Sequence, residues 1–137
     1  MNDASDPPRR QYFFVATGLS LAGLMGVFQI VNAVRVLTDV VGFSEYMGLP
    51  VAPGSEGFVH VYALRSVFIG LVVLGLVAWR RVGVLAWMAV VALLLPLGDM
   101  WLVSAAGAPT HTVARHGAIA VYLVVTAFVL IVAARKQ

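Results

Sequence analysis

Four apolar stretches, each long enough to match the thickness of a bilayer core, leave this chain few ways to fold. They run from about Tyr12 to Val34, Phe58 to Trp79, Val82 to Val103 and Thr112 to Ala134. A helix rises about 1.5 Å per residue, so roughly twenty apolar residues cross a hydrocarbon core of about 30 Å. Composition points the same way. Of 137 residues, 61% are hydrophobic and 11% charged, and the mean hydropathy is +0.96. A soluble domain carries about 25% charged residues, so this chain lacks the polar material to cover itself in water. No cysteine is present, which excludes disulfides, thiolate metal sites and cysteine nucleophiles. The first stretch is too long for a secretory signal, and no small-residue cleavage site follows it. The expected fold is all-α, an integral membrane four-helix bundle.

Charge sets the expected orientation. Arg9 and Arg10 precede the first span, Arg80 and Arg81 join the second to the third, and Arg135 and Lys136 follow the fourth. With four spans, all three basic pairs fall on one side. Cytoplasmic flanks collect Lys and Arg, so both termini are expected in the cytoplasm, as for a multi-pass protein of a bacterial inner membrane. Asp39, Glu45 and Glu56 lie at the opposite ends. The net charge of +3 does not imply nucleic acid, because the basic residues form no binding patch.

Residues 1–11 read as a disordered N-terminus, 12–134 as the membrane domain and 135–137 as a short tail. The two-residue link at Arg80-Arg81 makes the second and third spans an antiparallel hairpin. The connection at about 35–57 mixes Phe43, Tyr46, Met47 and Leu49 with Gly and Pro. Such a segment suits the membrane interface; a lid over the bundle and a plain connector are both open readings. Small residues recur at intervals of four: Gly18, Ala22 and Gly26; Ser66 and Gly70; Ala114 and Ala118. Each row gives a flat helix face for close packing, either within the bundle or in a homodimer. Pro96 removes an N–H inside the third span and is expected to bend it one turn from Asp99.

The polar residues inside the spans share one level. Asp99 lies about 6 Å inside the outer end of the third span and Arg65 about 10 Å inside that of the second. His116 and Arg115 open the fourth span, His60 opens the second, and Gln29, Asn32 and Arg35 occupy the outer third of the first. The inner halves are almost entirely apolar. Ionisable groups in membrane helices are costly and normally paired, facing the interior or a water-filled cavity. Asp99 and Arg65 are therefore expected to interact, directly or through water, with His116 as a third member. Tyr62 and Trp101 supply polar tips at the rim. The structural alternatives are concrete: Arg65 snorkelling to the surface, an Asp99–Arg65 pair fixing helix register, and Arg35 with Asp39 as a local pair. His60, His111 and Arg115 read as interfacial.

At these residues the chain resembles a family of small four-span membrane proteins known only as a domain of unknown function, distantly similar to the DoxX group. The resemblance rests on GLSLAGLMG in the first span, ALRSVFIGL in the second, Gly98-Asp99 in the third and Arg115-His116-Gly117 in the fourth. It covers nearly the whole chain and implies the four-span fold. Where the family often carries an acidic residue after the arginine, this chain has Ser66, so two carboxylates at that place are not implied.

Three functions compete. The first is an intramembrane enzyme that binds a lipophilic small molecule in the outer half of the bundle. Asp99, Arg65 and His116 are its expected catalytic residues, with Tyr62, Trp101, Asn32, Gln29 and His60 binding the substrate. Isomerisation, cyclisation or epoxide opening suits a sequence with no dinucleotide or phosphate-loop glycine pattern and no common metal-ligand spacing; no cofactor or metal is expected. The second is a non-catalytic accessory or lipid-binding subunit, with membrane lipids as partners. The third is a transporter, against which stand the featureless inner halves and the absence of an inverted repeat.

Overall fold

The computed structural model describes residues 9–135. Six helices follow one another: α1 (Arg9–Thr38), α2 (Val40–Met47), α3 (Glu56–Ala78), α4 (Val82–Ala92), α5 (Leu94–Ala105) and α6 (Thr110–Ala134). Helices α4 and α5 are two halves of one rod. The four resulting rods, of 23 to 28 residues, are long and apolar enough to cross a membrane. A helix satisfies its own backbone, which is what a lipid-embedded segment requires. Of the expected N-terminal segment, residues 1–8 lie outside the described residues and 9–11 belong to the first turn of α1. Residues 136 and 137 of the tail also lie outside them.

Pro96 acts where the sequence placed it. Helix α4 stops at Ala92 and α5 restarts at Leu94. At the joint the Leu93 N–H reaches back three residues, to the Val90 carbonyl at 3.2 Å, because the proline cannot extend the regular ladder.

Helix α1 packs against α3 and α6, and α6 also receives α4 and α5. Small residues permit the close approaches. A Cβ on Gly70 would stand 2.9 Å from the Gly26 carbonyl oxygen and 2.7 Å from Ile30 Cδ1, and one on Gly18 would meet Leu130 at 2.8 Å. The first two small-residue rows are thus internal seams. The third is not: Ala114 and Ala118 are exposed. Spacing shows a flat stripe but not which neighbour it meets, since lipid is as apolar as another helix. The hairpin at Arg80-Arg81 also differs from a packed pair. Helices α3 and α4 share the turn but few contacts, and α3 is not packed on α5.

The end bearing Arg80, Arg81 and Arg135 (the basic end) holds the larger core, with Val15, Leu19, Val82, Leu85 and Leu130. A smaller cluster of Ala33, Val36, Phe43 and Ala63 lies under α2 at the opposite, capped end. Asp39 starts α2 by accepting the Gly42 N–H at 2.8 Å, the usual service of an N-cap aspartate. The alternative of a local pair with Arg35 is not formed: among the described residues the two make no ion pair. Gly48 ends α2 at φ +86°, a conformation natural to glycine. A Cβ there would also strike Thr112 at 2.6 Å, so glycine lets α2 rest directly on α6.

Candidate functional site

Beneath α2 the four rods enclose a cavity of about 310 Å³. Asp99, Arg65, His116, Tyr62, Asn32 and Gln29 all line it. Trp101 and His60 do not; Trp101 is 72% exposed and His60 is also exposed. Each lies two residues from a lining side chain, Asp99 and Tyr62 respectively. Two residues turn a helix through about 200°, so both point away from the bundle. Depth was readable from the sequence, but the side of the helix was not.

A direct Asp99–Arg65 ion pair is not formed, whereas the expected third member, His116, does meet Asp99. Among the described residues the single carboxylate contact within ion-pair distance joins Asp99 Oδ2 to His116 Nδ1, at 3.6 Å. The reason is architectural: α3 is joined to α4 at the Arg80-Arg81 turn but is not packed on α5, while α5 packs on α6. Arg65 lines the cavity from α3 and is itself exposed.

His116 is 1% exposed and is held at one nitrogen. Nε2 lies 3.2 Å from the Met47 carbonyl. A carbonyl only accepts, so Nε2 is assigned the proton. Nδ1 of the neutral ring then presents a lone pair toward the Asp99 carboxylate. Nδ1 is buried and has no hydrogen-bond partner. Two acceptors so placed are matched when one further proton resides on the pair, giving either imidazolium with carboxylate or imidazole with carboxylic acid. Asp99 is the accessible member, its side chain 41% exposed against 2% for His116.

Arg115, read from the sequence as interfacial, is part of the same construction. Its guanidinium donates to the Tyr46 carbonyl and stacks over the Tyr46 ring at 3.8 Å, while Arg35 covers the ring at 4.3 Å. Consecutive residues of α6, Arg115 and His116, thereby satisfy the last two carbonyls of α2, groups left open at any helix C-terminus. Tyr46 and Met47 line the cavity, so α2 is its roof. The signal available in the sequence was the aromatic pair Phe43 and Tyr46 in a connection that otherwise reads as a loop. Ser66, Met88 and Thr126 also line the cavity and carried no sequence signal beyond their spacing. Among the described residues no three His, Asp or Glu side chains gather as a metal site.

No curated protein and no solved structure significantly matches the chain. Neither result bears on the distant likeness to the DoxX group. A family model does match, over residues 16–130, from the middle of the first rod's opening turns to the last turns of α6. That span takes in every residue of the cavity described above, and the chain belongs to the family described as a domain of unknown function, DUF4267.

Proposed function

We propose that this protein binds a lipophilic small molecule inside the bundle and performs acid–base chemistry on it through Asp99 and His116, in a bacterial inner membrane with both termini cytoplasmic. The observation that carries the reading is the buried, unpartnered Nδ1 of His116 facing Asp99 at the end of an apolar cavity. Asp99 is the group that touches the ligand, and His116 is the reserve that shares its proton. Delivery of that proton to an alkene or an epoxide oxygen leaves carboxylate and neutral imidazole. Loss of a proton from a neighbouring carbon, or from an added water, restores the starting state. Isomerisation, cyclisation and epoxide opening all close this cycle.

The test is an incubation of the purified protein in nanodiscs with a total lipid extract of its host. Wild type is expected to consume one lipophilic species and form a product of equal mass, or one water heavier. Asp99→Asn is expected to lose that conversion while melting within a few degrees of wild type. Equal conversion by both proteins would end the catalytic reading.

One observation favours the second reading, a non-catalytic lipid-binding or accessory subunit. Arg115 and His116 have a structural task, since they hold the roof helix in place. On that reading Asp99→Asn changes stability or ligand retention, and no species is consumed by either protein.

A further inference from the structure

The cavity is a slot. On α6 its lining runs from His116 to Leu130 and on the third rod from Asp99 to Leu85, about 21 Å of helix on each. A sphere of the same 310 Å³ would be only about 8 Å across, well short of that length. One end carries Asp99, His116, Arg115, Arg65, Asn32 and Gln29. The rest is apolar apart from hydroxyls such as Thr126, whose own is satisfied by the Tyr122 carbonyl at 2.9 Å. Half of a hydrocarbon core is about 15 Å, so the slot accepts one extended acyl chain plus a head group.

The charges select the head. Arg115 is committed to Tyr46 and Asp99 faces His116. Arg65 has no ion-pair or hydrogen-bond partner among the described residues. A guanidinium beside an apolar slot offers a planar fork for a carboxylate or phosphate. The way in is also visible. Helices α3 and α5 do not close on each other, and Tyr62 and Leu95 on the two edges are 36% and 50% exposed. We propose that the ligand is a single-chain anionic amphiphile that enters between α3 and α5, sets its head on Arg65 and runs its tail toward Leu85 and Leu130.

This rests on the cavity being a binding site, as proposed above, and adds the class of molecule. The experiment uses the full chain in phosphatidylcholine nanodiscs at alkaline pH, with a stearic acid bearing a diazirine near its methyl end. The matching stearyl alcohol serves as the neutral probe, and labelled residues are mapped after irradiation. The acid is expected to label the region of Leu85, Ala89 and Leu130, saturably and with displacement by oleate. The alcohol is expected to label it about tenfold less, and Arg65→Gln to lower labelling by the acid about tenfold, the range expected on losing a charge-assisted hydrogen bond. Arg65→Lys should recover a large part. Equal slot labelling by acid and alcohol overturns the anionic head while leaving cavity binding intact. Labelling confined to lipid-facing positions such as Leu71 and Phe128 overturns both.

Discussion

At the basic end, α1, α4 and α6 meet through Val15, Leu19, Ala86, Leu130 and Ala133, with no polar group among them. At the capped end the cavity is roofed by α2, tied down by Arg115 and His116. Lipid gives helices little hydrophobic reason to associate, so a membrane bundle is held by close van der Waals contact or by hydrogen bonds. This chain uses one at each end. Close contact buries Leu85 and Leu130, where the slot ends, whereas a roof fastened at its edge spans the wider part. The cavity and the polar residues are therefore two results of one choice, and the tight end is what allows the other to stay open.

The largest effect is expected where contact is closest. Gly70→Val would drive two methyl groups toward the Gly26 carbonyl and Ile30. It should cost about 3 kcal/mol, the upper range for overpacking, seen as a clear fall in melting temperature in detergent; a melt like wild type would mean that the α1–α3 seam is not what holds the bundle. A smaller and local effect is expected at the roof. Tyr46→Leu removes the ring between Arg35 and Arg115 and should cost about 1–2 kcal/mol, with faster hydrogen exchange confined to residues 40–48. Tyr46→Phe keeps the ring and should exchange like wild type. Faster exchange in both variants would assign the fastening to the hydroxyl. The smallest effect is expected at Gly75, where a Cβ would meet nothing within 4 Å. Gly75→Ala should stay within about 1 kcal/mol of wild type, on the stabilising side through helix propensity. A marked destabilisation there would show that the model of tight and open faces is wrong.

The four rods were legible because length and hydropathy report directly on the solvent. The break near Pro96 was legible because a missing N–H acts locally. Depth was legible too: Asp99, Arg65, His116, Tyr62, Asn32 and Gln29 share one cavity. Direction around the helix was not. In water an outward face is polar and identifies itself; here Trp101, Ala114 and Ala118 face outward with no change in character. Partner choice was hidden for a related reason. A two-residue turn brings α3 and α4 together at their joint but says nothing about their angle, so Arg65 was placed first and His116 third beside Asp99, when α5 packs on α6 and brings His116 to it. The helix α2 was obscured because eight residues carry too little periodicity, although its Asp39 and Gly48 stops are ordinary helix signals.

On the proposed reading, the gap between α3 and α5 would leave the surrounding lipids to complete the wall of the slot. The proposed ligand, already dissolved in the leaflet, would reach it by sideways diffusion, without crossing water. Its concentration at the entrance is set by how strongly it partitions into the membrane, so modest intrinsic affinity suffices for high occupancy. On that reading the composition of the bilayer becomes part of the recognition, and changing it would alter what the protein holds with no change in sequence.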